Sequence, residues 1–191
     1  MADRPPIPTL QTERLILRPF SLEDAPEVQR LAGDAKVAAT TLVIPHPYPD
    51  GLAEQWIASH AQGPSLTLAM EERQSSDFLG AIGLEPKNQQ HRMELGYWMR
   101  VDRWGEGFTT EAANALLDWT FSLDWIDRIE AYCMTSNPGS ERVMEKAGMV
   151  KEGTLRNYMS KNGTLHDVVT YAVLRSDRRL NTSKATENKP L

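Results

Sequence analysis

Stretches in which apolar and polar residues alternate recur along the chain and predict β-strands. The first covers residues 14–20, with the sequence RLILRPF, and three more follow at residues 66–71, 78–84 and 93–100. Alternation with a period of two is typical of strands that bury one face. Polar turns join the last three stretches, so we expect those strands to form an antiparallel meander.

Helices are predicted where a good capping residue precedes an apolar stretch, and they cover residues 21–31, 50–63, 110–121 and 137–148. Ser21 and Asp24 resemble a capping box at the first start. Asn137 is a favourable N-cap, and Pro138 suits the first helical position. Gly148 is expected to end the last helix.

A further strand at residues 128–134 precedes a hairpin in which residues 153–160 run out and residues 168–174 run back. The turn between them is Lys161-Asn162-Gly163, and Asn-Gly between alternating stretches is a strong hairpin signal. We therefore predict an α+β fold, with a mixed, mostly antiparallel twisted sheet flanked by helices and a C-terminal β-hairpin.

Two glycines, Gly105 and Gly107, lie in the turn between the strand at 93–100 and the helix at 110–121. Glycines allow backbone N–H groups to approach a phosphate closely, and a helix N-terminus favours negative charge. A strand, a glycine turn and a helix start therefore indicate a nucleotide-type cofactor held by backbone amides. A surface turn that merely caps a helix is the alternative interpretation.

Composition limits the classes of protein to consider. The 191 residues, 40% of them hydrophobic, suit one domain with a single buried core, expected at residues 10–175. The polar ends, residues 1–9 and 176–191, are expected to be flexible. No apolar segment is long enough to span a bilayer. Cys133 is the only cysteine, so we expect a reducing cytoplasm.

The net charge of −5 argues against a nucleic-acid partner and is compatible with a cationic acceptor such as an amine. The four histidines show no metal-ligand spacing, so no metal site is predicted.

Two segments together carry a family resemblance: residues 94–112, which contain ELGYWM and WGEGFTTEA, and residues 137–149, NPGSERVMEKAGM. The chain resembles the GNAT superfamily of acetyl-CoA-dependent N-acetyltransferases. It is similar to the RimJ/RimL-type branch, which acetylates ribosomal-protein N-termini. Residues 12–18 and 167–172 also fit that branch, so the resemblance covers about residues 10–175.

The resemblance implies acetyl-CoA as cosubstrate and a V-shaped slot where the strand at 93–100 splays from the strand at 128–134. The pyrophosphate is expected on the backbone of the glycine turn, and the pantetheine arm along the open strand edge. The implied cofactor-binding residues are Met99, Arg100, Val101, Trp104, Gly105, Glu106, Gly107, Phe108, Thr109, Thr110, Asn137, Ser140 and Arg142. Arg103 is an alternative to Arg142 as the phosphate ligand.

Two residues depart from the family pattern. Thr109 stands where a glycine or alanine is usual, and Glu106 places a negative charge where a basic residue is frequent. An exposed Glu106 would cost little because solvent and salt screen its charge. Neither departure removes the backbone donors.

The resemblance also suggests catalytic roles. Glu94 is expected to take the amine proton directly or through a water, the backbone N–H near Met99 to stabilise the thioester oxygen, and Ser140 to donate to the leaving sulfur. Met144 occupies the place of the family's usual tyrosine and cannot donate a proton. Tyr158 is a weaker candidate for the acid.

Each role has an alternative. Glu94 could equally be a structural carboxylate that forms an ion pair within the sheet. Ser140 could simply cap the helix. His91 and His166 are alternative bases by their ordinary pKa. Cys133 is expected to be a buried, inert thiol.

The sequence thus predicts an N-acetyltransferase that attacks the thioester directly with a primary amine, preferably a protein N-terminal α-amine. A small-molecule amine, such as a polyamine, amino sugar or amino acid, is the alternative acceptor. A CoA-binding sensor without catalysis is a third possibility, and a homodimer is left open.

Overall fold

The computed structural model describes residues 7–62, 64–87 and 91–178. The helices are α1 (Ala25–Ala32), α2 (Ala35–Thr40), α3 (Leu52–Gln62), α4 (Phe108–Ser122) and α5 (Pro138–Lys146). The strands are β1 (Leu10–Gln11), β2 (Leu15–Pro19), β3 (Leu66–Glu72), β4 (Phe78–Pro86), β5 (Arg92–Met99), β6 (Arg128–Met134), β7 (Val150–Lys161) and β8 (Thr164–Leu174). Two short 3₁₀ turns, Leu22–Asp24 and Val101–Arg103, precede α1 and follow β5.

All eight strands form one sheet in the order β1-β2-β3-β4-β5-β6-β8-β7. Neighbours are antiparallel except β5 and β6, which are parallel. The parallel pair is connected through α4, as expected because parallel neighbours need a crossover. The predicted mixed, mostly antiparallel α+β fold with its C-terminal hairpin is confirmed.

Helices cover both faces of the sheet. The larger core lies on the α4 and α5 side and contains Leu116, Met144 and Tyr171. A second core on the opposite face packs α1, α2 and α3 against the sheet through Ala69, Ala81 and Trp98. Alternate residues of β5 therefore face different cores.

Two helices differ from the sequence prediction. Helix α4 begins at Phe108 and not at Thr110, because Gly107 adopts a left-handed conformation and serves as the N-cap. Helix α2 was not predicted, since it is only six residues long and lies between Gly33 and the proline-rich segment at residues 45–49. Its start is fixed by Asp34, whose side chain accepts a hydrogen bond from the Lys36 N–H at 2.7 Å.

Residues 1–6, 63 and 179–191, which include most of both predicted tails and the predicted helix end at Gly63, lie outside the described residues. At the described end of the chain, the Arg178 guanidinium donates to the Asn114 side-chain oxygen at 3.1 Å and to its carbonyl at 3.0 Å. This segment therefore lies against α4. Within the described ranges, no helix has the length and apolarity needed to cross a bilayer.

Candidate active site

The centre of the sheet opens into a slot between β5 and β6. The two strands pair only from Arg92 to Leu95 on β5 and from Arg128 to Ala131 on β6. Beyond Leu95, β5 continues to Met99 while β6 diverges. The predicted splay of the central strand pair is thus confirmed.

The open edge of β5 presents backbone groups to the slot. The Arg100 N–H donates to the Leu79 carbonyl of β4 at 2.8 Å, so it points away from the slot. Amides alternate in direction along a strand, and the N–H groups of Tyr97 and Met99 therefore face the open edge. The Met99 carbonyl accepts from the Trp104 indole N–H at 2.8 Å, which leaves the Met99 amide as the donor there.

A close approach between β4 and β5 supports this edge from behind. Gly80 of β4 has φ of 152°, and a Cβ built there would lie 2.2 Å from the Trp98 carbonyl oxygen and 2.9 Å from the Met99 Cα. No side chain fits that space, so Gly80 allows β5 to keep its position at the splay. Sequence reasoning missed this residue because an isolated glycine in a strand carries no specific signal.

The glycine turn lies at the mouth of the slot. Gly105 and Gly107 have φ of 86° and 87°, values that side-chain-bearing residues rarely adopt. The first i→i−4 bond of α4 is from the Glu111 N–H to the Gly107 carbonyl, at 3.0 Å. The N–H groups of Phe108, Thr109 and Thr110 therefore have no i−4 partner in the helix and can bind an anion.

Arg103 holds the turn in place and does not project from it. Its guanidinium donates to both carboxylate oxygens of Glu72 on β3, at 2.8 and 3.0 Å, and lies 4.7 Å from the centre of the Phe108 ring. It also pairs with Glu106 at 3.1 Å. Glu106 is thus paired with a cation beside the turn, and the Arg103 guanidinium binds two carboxylates.

The other departure from the family pattern, Thr109, points back toward β5. Its hydroxyl donates to the Met99 sulfur at 3.1 Å. The side chain is therefore accommodated on the strand side of α4, and the backbone N–H of Thr109 is not blocked by it.

Helix α5 forms the second wall of the slot. Asn137 caps it by accepting from the Ser140 N–H at 3.0 Å, and its amide group donates to the Thr40 carbonyl at 3.1 Å. Asn137 therefore ties the start of α5 to the last residue of α2.

Two cations on α5 reach the rim of the cavity. Arg142 and Lys146 are exposed, both line the cavity, and neither has an ion-pair partner within the described part of the chain. Residues four apart share one helix face. Sequence reasoning proposed Arg142 but missed Lys146, although the i, i+4 spacing could have indicated it.

Ser140 contacts a tyrosine that the sequence did not single out. Its Oγ lies 2.8 Å from the Tyr97 hydroxyl, and its carbonyl accepts from the same hydroxyl at 3.3 Å. Met144, one turn further along α5, is fully buried in the larger core. Tyr158 is exposed on β7 and stacks on Tyr132, with ring centres 6.1 Å apart.

A row of carboxylates crosses the opposite face of the sheet. Glu94 of β5 is in register with Glu85 of β4 and with Glu130 of β6. Glu94 forms an ion pair with Lys87, and its side chain is 29% exposed. It lies on the same face as Trp98, toward the cavity.

Glu130 has a different environment from Glu94. It is almost fully buried, and Arg92 donates to it at 2.6 Å. Burial alone would raise the pKa of this carboxyl, but hydrogen bonds from Arg92 and Tyr132 hold it below its usual value. Glu130 is therefore a structural anion, and Glu94 is the carboxylate of the pair that remains accessible.

A single cavity of about 1340 Å³ joins the slot to this face of the sheet. On the face of the sheet covered by α1 to α3 its wall is largely aromatic, from the loop before α3, α3, β5, β6 and the hairpin: Tyr48, Trp56, Trp98, Tyr132 and Tyr158. Lys161, near the hairpin tip, donates its ammonium to the carbonyls of Ala38 and Thr41. The hairpin is thereby attached to the C-terminal end of α2.

The remaining candidates are two histidines outside the cavity and a buried thiol. His91 and His166 do not line the cavity. Cys133 does, but burial raises the pKa of its thiol to about 11. Within residues 7–62, 64–87 and 91–178, no cluster of three or more His, Cys, Asp or Glu side chains could hold a metal ion.

Comparisons with known proteins agree with this geometry. The family described as "Acetyltransferase (GNAT) domain" matches residues 14–150. The uncharacterized N-acetyltransferase YoaA of Bacillus subtilis is 30% identical over 178 residues, which cover 88% of this chain and 97% of YoaA.

Solved structures share the fold. A GNAT-family acetyltransferase from Bacillus anthracis superposes with a TM-score of 0.81 at 24% identity, covering 88% of this chain and 99% of that one. RimL, a ribosomal L7/L12 alpha-N-protein acetyltransferase in complex with coenzyme A, has a TM-score of 0.75 at 20% identity, with 88% and 97% coverage.

The slot fits the cosubstrate of this family. A diphosphate requires several donors at one place, and the first turn of α4 supplies them. The pantetheine amides require an unpaired strand edge, and β5 supplies one. The protein belongs to the GNAT acetyltransferases, enzymes that use acetyl-CoA to acetylate amines.

Proposed function

We propose that this enzyme acetylates the α-amine of a protein N-terminus by direct attack of the amine on the thioester. The observation that carries the proposal is the splay of β5 from β6 above the free amides of α4. The resemblance to the RimJ/RimL-type branch supports this acceptor class, and the RimL structure has the same fold.

Cofactor binding rests on three elements. The amides of Gly107, Phe108, Thr109 and Thr110 hold the pyrophosphate, and Arg142 with Lys146 attracts the remaining phosphate. The open edge from Tyr97 to Arg100 and Val101 pairs with the pantetheine arm. Asn137 and Ser140 border the arm from α5.

The base and the hydroxyls near the leaving sulfur lie on opposite faces of the sheet. Glu94 lies on the acceptor face and removes the amine proton, directly or through a water. Tyr97 and Ser140 lie on the α5 face, where the leaving sulfur is expected. The amine thus approaches from one face of the sheet and adds to the thioester carbonyl, and the thiolate leaves from the tetrahedral intermediate toward the other face.

Two amides on the open edge can donate to the thioester oxygen. Met99 is five residues from Glu94, or ~17 Å along the strand, and Tyr97 is three residues away, or ~10 Å. The base and the oxyanion donor must serve one carbonyl group, so the Tyr97 amide is the better match to Glu94. The Met99 amide then serves the pantetheine arm or a reaction centre nearer the turn.

The direct test is transfer from acetyl-CoA to a panel of amines while free thiol is followed. The panel contains N-terminal peptides of varied first residue, the same peptides with blocked N-termini, and polyamines, amino sugars and amino acids. Turnover with free but not blocked N-termini supports the proposal. Turnover with lysine side chains alone, or with none of these amines despite CoA binding, contradicts it; the second result favours a sensor.

One observation favours a small-molecule acceptor as the second candidate. Lys161 fastens the hairpin to Ala38 and Thr41, which narrows the acceptor side on that flank. A narrow entrance suits a compact amine better than a chain, and the carboxylates Glu85 and Glu94 suit a cation. Faster turnover of a diamine than of any N-terminal peptide would establish this alternative.

A further inference from the structure

A hydrogen bond between two hydroxyl groups connects β5 to α5. Tyr97 lies on the part of β5 that has no β6 partner, and Ser140 lies in the first turn of α5, which follows β6. Their oxygens are 2.8 Å apart. Tyr97 is only partly exposed, and it packs against the larger core.

The Tyr97 hydroxyl has two acceptors within reach on Ser140. The Tyr97 hydroxyl is directed toward the Ser140 Oγ and the Ser140 carbonyl, and the carbonyl can only accept. Burial raises the pKa of Tyr97, so the phenol stays protonated and remains a donor. In the 2.8 Å bond between the two hydroxyls either oxygen can be the donor; when Tyr97 donates to the Ser140 Oγ, the Ser140 hydrogen is left for a further acceptor.

A sulfur atom also lies beside Ser140. Burial raises the pKa of the Cys133 thiol, and the neighbouring Ser140 side chain opposes that rise. Meanwhile the Ser140 backbone is fixed by its N–H bond to Asn137 at 3.0 Å. The Ser140 hydroxyl is thus held at a defined place on the slot wall.

We propose that Tyr97 is a positioning residue that orients the Ser140 hydroxyl toward the sulfur of CoA. This inference rests on the proposed function. As the C–S bond breaks, its electron pair stays on the sulfur, which accepts a hydrogen bond from the Ser140 hydroxyl. The new C–N bond forms with the amine's electron pair, and the amine proton leaves through Glu94. No proton passes between Tyr97 and Ser140.

Kinetics of matched variants form the first test. Tyr97→Phe keeps the ring and removes the hydroxyl, and we expect kcat to fall about tenfold with the KM for acetyl-CoA unchanged within about twofold. Ser140→Ala should lose a similar factor or more, and adding Tyr97→Phe to it should cost nothing further. Tyr171→Phe is the control, because its hydroxyl also binds α5, through Glu141 and Glu145, but not Ser140.

A binding measurement gives a readout that is independent of turnover. CoA and desulfo-CoA are compared by calorimetry above about pH 9, where an ordinary thiol is mostly ionised. The wild-type protein and Tyr171→Phe should bind CoA at least about fivefold more tightly than desulfo-CoA. Tyr97→Phe and Ser140→Ala should lose that preference.

The outcomes distinguish a failure of this inference from a failure of the proposed function. An unchanged kcat in Tyr97→Phe, losses that multiply in the double variant, or a CoA preference retained by Tyr97→Phe would overturn the positioning role alone. A wild-type protein that binds CoA and desulfo-CoA equally would do the same. A wild-type protein that binds neither would overturn the proposed function and this inference with it.

Discussion

Glu94 differs from the other carboxylates in its row by its partners. Glu130 is buried between two arginines, and Glu85 is exposed at the edge of the cavity. Glu94 is half-buried, has Lys87 as its ion-pair partner and lines the cavity. A base must be reachable by the amine yet shielded from bulk water, and Glu94 alone of the three meets both conditions.

Glu94→Gln tests that role. The amide keeps the shape of the side chain but cannot take a proton, so we expect kcat to fall by at least about a hundredfold. The KM for acetyl-CoA should stay unchanged. Glu23→Gln, at an exposed position near α1, is the control for loss of one negative charge. A kcat within about threefold of the wild-type value would remove Glu94 from the mechanism.

Glu72 makes the stability of the cofactor turn sensitive to pH. Hydrogen bonds from Arg103, with a further one from Ser75, lower the pKa of Glu72 from 4.5 to about 2. A carboxyl with a depressed folded pKa stabilises the protein above its unfolded pKa, and the contribution is lost as pH falls through the folded value. The contribution of Glu72 is therefore present above pH 4.5 and lost between 4.5 and about 2.

Glu72→Gln should lower the free energy of unfolding by about 1 kcal/mol at neutral pH. The difference between the variant and the wild type should shrink as pH falls from 4.5 toward 2. Urea unfolding of both proteins over a pH series measures it. A difference that is constant with pH would show that the pair with Arg103 does not form in solution.

At the scale of the element, α5 contributes charge to the rim of the slot through Arg142 and Lys146. Replacing either by alanine should raise the KM for acetyl-CoA about two- to fivefold and leave kcat unchanged. The effect should weaken with added salt, because exposed charges are screened. Arg156→Ala, an exposed cation on β7, is the matched control.

A change in kcat, or a KM that does not depend on salt, would contradict this use of α5. Equal effects of Arg156→Ala and the rim variants would also contradict it, because only a general attraction to the protein surface would then remain.

The hairpin of β7 and β8 acts as an element through Lys161. Lys161→Met keeps the stem but removes the ammonium that binds Ala38 and Thr41. We expect a loss of about 1–2 kcal/mol in stability and a higher KM for the amine, with the KM for acetyl-CoA unchanged. Lys151→Met is the control, since that lysine forms an exposed pair with Glu141. An unchanged amine KM would separate the hairpin from acceptor binding.

At the scale of the whole molecule, local patterning predicts the fold well. Residues 128–134 were predicted as a strand and form β6, because apolar residues occur there in the strand period. The hairpin follows from Asn-Gly, and α5 from its Asn137 cap. These elements depend on neighbours in sequence, which is why the sequence alone is sufficient for them.

The supporting contacts of the site could not be predicted, because they join residues that are far apart in the sequence. Tyr97 and Ser140 are 43 positions apart, and Lys161 binds a residue 123 positions away. A glycine is required at position 80 only because the backbone of β5 approaches it closely. The start of α4 was placed two residues too late because the conformation of Gly107 is a property of the folded turn. The candidate site could thus be located from its motifs, while its supporting contacts could not.

A crystal structure of the protein with CoA tests the central claim most directly. We expect pyrophosphate oxygens at about 3 Å from amide nitrogens in the first turn of α4, and the pantetheine arm beside the open edge of β5 from Tyr97 to Met99. CoA bound elsewhere, or bound with those amides unoccupied, would contradict the account.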